Sequence, residues 1–181
     1  MDVNSTVLEP EVTIIMNEAS SLKDLVPAAK LILSQMKDPI MIIGPMTTGG
    51  KENMDDNFCF HDAAVTEAIL RGQEVFYQSW FKDPMIRVIT DFWERRESEA
   101  GRHKTSREII FQFYLPVFKL GIIKSLWRLP DWNSSVGTIL ECDVATSLGQ
   151  PALDDYPVAW LPDVESRYEE LKQVSVVRNI K

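Results

Sequence analysis

Residues 39–44 read Pro-Ile-Met-Ile-Ile-Gly, a continuous apolar run that ends in glycine. A strand with no polar alternation must be buried on both faces. A sheet buried on both faces is characteristically parallel and covered by helices. This short stretch therefore restricts the chain to architectures in which helices connect parallel strands.

The rest of the chain is read against that strand. Apolar spacing predicts strands at Glu11–Met16, Glu74–Trp80, Ile122–Leu129 and Tyr156–Trp160. It predicts helices at Ser20–Lys37, Asp56–Arg71, Pro84–Glu97, Ser106–Leu120, Val136–Leu148 and Val164–Val174. Asp55 or Asp56 would cap the second helix, and Gly72 and Gly149 follow helix ends where glycine is favoured. The charged stretch Arg95–Lys104 reads as a mobile loop. The expected fold class is α/β: a flavodoxin-like three-layer fold with a five-stranded, mostly parallel sheet. The 181 residues fit one domain, divided into an N-terminal strand–helix extension (1–38), a core (39–161) and a C-terminal helix (162–181).

Composition narrows the partners. A net charge of −8 gives no attraction to a nucleic-acid backbone or an anionic membrane, so neither is expected to bind. A small anion can still bind through backbone N–H groups at a helix start. No apolar run approaches the ~20 residues of a membrane span, and no secretory signal is read, so a soluble cytoplasmic protein is expected. Cys59 and Cys142 form neither a disulfide framework nor a zinc spacing, and His61 and His103 have no partner pattern. No metal and no cofactor is expected.

In parallel α/β sheets, ligands bind beyond the carboxyl ends of the strands. Two of the loops there carry chemistry. The first is Gly44-Pro45-Met46-Thr47-Thr48-Gly49-Gly50, where glycines allow close backbone approach and the threonine hydroxyls reach sugar or phosphate oxygens. A plain strand-to-helix turn explains it equally well. The second runs from Leu129 through Asp131, Ser135 and Gly137 to Glu141, where a polar loop opens a helix. Exposed N–H groups and the helix dipole favour an anion beside Ser135 and Gly137. Glu141 either looks into the cleft or closes a capping box with Thr138.

The motifs GPMTTGG, Asn57, Phe60, Ala63-Ala64, Gly72-x-x-Val75 and LPDWNSSVGTILECDVATSLGQP together resemble the nucleoside 2-deoxyribosyltransferase-like superfamily, including a subgroup common in phages and bacteria that is related to 2′-deoxynucleoside 5′-monophosphate N-glycosidases. The resemblance covers roughly residues 39–151, with an unusual interval between Trp80 and Arg107. It implies that Glu141 is a nucleophile at the anomeric carbon of a sugar, forming a covalent glycosyl–enzyme intermediate. It implies a substrate site made of Gly44, Pro45, Met46, Asn57, Ser135 and Gly137. Ser135, in place of aspartate, implies a nucleoside monophosphate ligand. It also implies a homodimer, which suits a helix at Ser106–Leu120 with apolar residues on more than one side.

The chain departs from that superfamily where an Asp-Leu pair is usual and Tyr114-Leu115 stands here. The missing aspartate handles the leaving base. Asp131, Asp62 or a residue of a second subunit would have to replace it. Otherwise the domain is a nucleotide-binding module without catalysis, with Tyr114 a core residue.

Overall fold

The computed structural model describes residues 8–46, 49–51 and 53–178, with side chains up to residue 173. The chain is an α/β protein in which helix predominates. Three short strands, β1 (Ile40–Ile43), β2 (Ser125–Arg128) and β3 (Ala152–Asp155), form one parallel sheet in the order β1-β2-β3. Ile40 lies opposite Ser125, and Ser125 opposite Ala152. The helices are α1 (Pro10–Glu18), α2 (Val26–Ser34), α3 (Met54–Leu70), α4 (Lys82–Val88), α5 (Phe92–Arg95), α6 (Glu99–Ile109), α7 (Leu115–Phe118), α8 (Val136–Leu148) and α9 (Leu161–Arg178).

β1 is fully buried, and its side chains alternate between two apolar clusters. Met41 and Ile43 pack with α1, α2, the aromatic segment 110–118 and α8. Ile40 and Ile42 pack with α3 and α9. Both faces of the sheet are thus covered, as a continuous apolar strand requires.

The five-stranded, flavodoxin-like sheet is not what forms, and each departure has a local cause. Residues 11–16 are helical, not extended. Pro10 occupies the first turn of α1, where a missing N–H costs nothing. Val12 and Met16, four apart, are buried, whereas Ile14 is 55% exposed. An extended chain would have put all three on one face. At 74–80 only Val75 bridges to the sheet, beside Ile40. Beyond it, the Tyr77 hydroxyl (2.6 Å) and the Ser79 hydroxyl (3.1 Å) donate to the Asp62 carboxylate, and a 3-10 turn forms at Gln78–Phe81.

The last strand is displaced upstream, from 156–160 to 152–155. Pro157 cannot donate to a ladder, and Val158–Trp160 coil into a 3-10 turn instead. β3 keeps its aspartates because it is a largely exposed strand: Asp154 accepts from Ser125, and Asp155 pairs with Arg128 at 2.8 Å.

The interval 84–120 also differs from its reading. The expected helix at 84–97 breaks at Asp91, which adopts a left-handed conformation between α4 and α5. The charged stretch 95–104 is mostly helix. Ser98 caps α6 by accepting from Gly101 N–H at 3.0 Å. Gly101 lies so close to the chain that a Cβ there would sit 2.1 Å from the Arg95 carbonyl oxygen. The long helix that follows widens into a π-helical turn at Ile110–Tyr114, just before Pro116. Proline lacks the N–H that regular helix needs at that point, which accounts for the wider turn. α3 is capped by Asn53, whose side chain accepts from Asp56 N–H at 2.9 Å, and not by Asp55 or Asp56.

Candidate functional site

The two loops singled out by sequence meet at the carboxyl ends of β1 and β2. Gly50 N–H donates to the Ser134 hydroxyl at 3.0 Å, and that hydroxyl donates to the Asp131 carbonyl at 2.7 Å. Gly49 has φ +70°, and a Cβ there would lie 2.3 Å from Ser134 Oγ. Only glycine fits that conformation and that contact. Thr47 and Thr48, whose hydroxyls the sequence reading assigned to a ligand, lie outside the described residues.

Beside this junction is a cavity of about 110 Å³. Gly44 and Met46 line it from the loop after β1, and Ser135, Gly137, Thr138 and Glu141 line it from the cap and first turns of α8. Met54 and Phe58 enter from α3, Gln78 from the 3-10 turn, and Lys82, Met85 and Ile86 from α4. Phe92, Ser106, Ile109, Ile110 and Tyr114 complete the wall. The 82–110 interval, which lies largely outside the resemblance, thus supplies most of one side.

α8 forms for reasons visible in its sequence. Ser135 caps it, with its hydroxyl 3.5 Å from Thr138 N, and Gly149 in the left-handed region ends it. Because the cap is Ser135, Glu141 does not close a capping box with Thr138. It sits nearly two turns into the helix and faces the cavity. Its Oε1 accepts a long hydrogen bond, 3.3 Å, from Gln78 Nε2. Burial pushes the Glu141 carboxyl up to about 8, against a smaller downward pull from Gln78. Tyr114 is its neighbour. Burial first, and the Glu141 charge second, raise the phenol well above its ordinary value. The Thr138 hydroxyl is buried beside them without a hydrogen-bond partner among the described residues.

Five of the sequence-derived site residues, Gly44, Met46, Ser135, Gly137 and Glu141, line this one cavity. Pro45 and Asn57 do not. Pro45 packs against Gly50, where an added Cβ would lie 2.6 Å from Pro45 Cβ. Asn57 holds the first loop in shape: it accepts from Lys51 N–H at 2.7 Å and donates to the Gly49 carbonyl at 2.9 Å. Asp131 and Asp62 are also outside the lining, so Glu141 is the one carboxylate that lines the cavity among the described residues.

Sequence reasoning missed Gln78, Lys82, Ser106 and Thr138. Gln78 was detectable as a polar residue inside the apolar run Glu74–Trp80, and it is almost fully buried. Lys82 and Ser106 carried no comparable signal. Among the described residues no cluster of three or more His, Cys, Asp or Glu side chains is placed to hold a metal ion, and no helix is long and apolar enough to cross a membrane. Compared with protein-family models, curated proteins and solved structures, the chain matches none.

Proposed function

We propose that the protein cleaves the N-glycosidic bond of a (deoxy)nucleoside 5′-monophosphate, as an N-glycosidase or a 2-deoxyribosyltransferase, with Glu141 as nucleophile. The observation that carries this reading is a single buried carboxyl in the lining of a cavity, held by Gln78 and carried on α8, whose cap Ser135 lines the same cavity. The similarity of its two loops to the nucleoside 2-deoxyribosyltransferase-like superfamily supports the same chemistry. Ser135 and the N–H groups at the start of α8 are suited to a phosphate there.

In this mechanism a Glu141 oxygen attacks the anomeric carbon and stabilises positive charge as the base departs. Water or a second base then takes the glycosyl group. Only the ionised carboxyl can attack. A group whose ordinary range is raised to about 8 is mostly protonated at neutral pH. Accordingly kcat/KM rises as the pH is raised through about 8.

The test is a panel of deoxyribo- and ribonucleoside monophosphates assayed for free base. The reading expects base release by the wild type and a loss of at least ~100-fold in Glu141→Gln, in line with the removal of an essential group. Turnover unchanged in Glu141→Gln contradicts it.

A second reading is a nucleotide-binding module of the same shape, without catalysis. Tyr114 in the cavity wall, and the lack of another lining carboxylate among the described residues, favour it. A ligand-induced rise in Tm with no base released would select it. We further propose a homodimer, on the strength of Phe111 and Ile139, which stay exposed on adjoining elements. Sedimentation as a monomer at micromolar concentration would remove the dimer from the account.

A further inference from the structure

A second hydroxyl stands beside the start of α8, and it comes from outside the two loops. Ser106 lies in α6, which packs against α8. It lines the cavity and is only 7% exposed. Among the described residues its hydroxyl has no hydrogen-bond partner. A buried hydroxyl in that position has lost its bonds to water and gained none, which leaves it open to a ligand.

Gly137 stands between this hydroxyl and the helix cap. A Cβ on Gly137 would lie 3.8 Å from Ser106 Oγ and 3.8 Å from Ser135 Oγ, with nothing nearer. Those are ordinary van der Waals distances, so packing would admit alanine. Gly137 also lies within α8 and has no positive φ, so the backbone does not require glycine either. Alanine would be the better helix former. What glycine leaves is a space between two hydroxyl oxygens at a helix start, where the Val136 and Gly137 N–H groups precede the first helical hydrogen bond. Hydroxyls and free N–H groups can all donate, which suits a small oxyanion.

The position of Glu141 fits the same ligand. It follows Ser135 by six residues, a rise of about 9 Å along the helix. A pentose 5-phosphate carries its phosphate and its anomeric carbon at opposite ends, so a phosphate held at Ser135 directs C1′ toward Glu141. Lys82 is the other place in the lining for an anion, and its ammonium rests 4.0 Å from the centroid of the Phe58 ring. It is a single group, whereas several donors converge at the start of α8. Resting on the nucleoside monophosphate reading above, we propose that Ser106 is a specificity-determining residue. Its hydroxyl donates to the 5′-phosphate across the gap left by Gly137, opposite Ser135, and so selects the monophosphate over the free nucleoside.

The experiment is isothermal titration calorimetry of 2-deoxyribose 5-phosphate with wild type, Ser106→Ala and Gly137→Ala, with the Tm of each protein alone. This sugar phosphate has no base to release, so its binding is independent of turnover. Ser106→Ala should weaken it roughly 10-fold or more, the size of a lost hydrogen bond to a charged group. Gly137→Ala should weaken it at least as much by filling the gap, while its Tm equals or exceeds that of the wild type. Wild-type affinity in either variant overturns the proposal, as does a wild type that does not bind the sugar phosphate. A loss in Lys82→Met that Ser106→Ala does not share also overturns it and places the phosphate on the ammonium. Binding with the expected losses, but with no base released from any nucleotide, keeps the role of Ser106 and removes the N-glycosidase reading. Base release with the same KM for nucleoside and monophosphate, unaltered in Ser106→Ala, does the reverse.

Discussion

Two glutamates, one on each face of the sheet, are equally buried at 6% exposure and are treated in opposite ways. Glu67, on the α3–α9 face, accepts from Arg71 Nε at 2.7 Å and lies 3.4 Å from Arg167. Arg71 in turn reaches Asp163 at 2.6 Å and stacks on Trp160. Glu141, on the α8 face, has one long bond to an amide and no cation within ion-pair distance among the described residues. The first arrangement compensates a buried charge. The second withholds compensation and leaves space in front of the carboxyl, an arrangement that destabilises the ionised fold and suits chemistry.

The largest expected consequence is in stability. Glu141 has a folded-state value raised above its unfolded one, so its contribution is fully present below about pH 4.5 and is lost as the pH rises through about 8. Glutamine mimics the protonated form at every pH. Urea denaturation of wild type and Glu141→Gln should coincide near pH 4. By pH 9 the variant should be the more stable by about 5 kcal/mol, since a rise from 4.5 to about 8 is worth about 1.4 kcal/mol per pK unit. Equal stabilities at pH 9 would mean that the carboxyl is compensated after all.

The opposite sign is expected on the other face. Glu67→Gln takes the carboxylate from Arg167 and leaves Arg71 with Asp163 alone. Because both arginines are about one-third exposed, the loss is discounted from that of a fully buried pair to about 1–2 kcal/mol. It should appear in the same denaturation measurement across pH 6–9. Stabilisation by this change would erase the contrast between the faces.

This contrast also explains how much the sequence disclosed. β1 and α8 were legible because each states its environment directly: an unbroken apolar run for one, and an apolar stripe with a terminal glycine for the other, although its cap proved to be Ser135 and not Thr138. Glu141, Ser135, Gly137, Gly44 and Met46 could therefore be placed at one end of the sheet. β3 was not legible, because Ala-Leu-Asp-Asp gains its strand from backbone pairing with β2 and from partners at Ser125 and Arg128, and not from apolar pattern. α1 was hidden by the β-branched Val12, Thr13, Ile14 and Ile15, whose local preference yields to burial of Val12 and Met16. The wall built by 82–110 was missed for a third reason. Its charged α6 and its π turn are positioned by a cap, a glycine and a proline, none of which points toward a ligand.

The proposed chemistry requires the Glu141 carboxyl to make the bond to sugar carbon. The direct measurement is peptide mass mapping of the protein after incubation with a 2′-deoxy-2′-fluoronucleoside 5′-monophosphate, in which fluorine slows breakdown of a glycosyl–enzyme ester. The account predicts one added fluorodeoxyribosyl phosphate, on the peptide containing Glu141 and absent from Glu141→Gln. Base release with no adduct, or an adduct on any other residue, would contradict it.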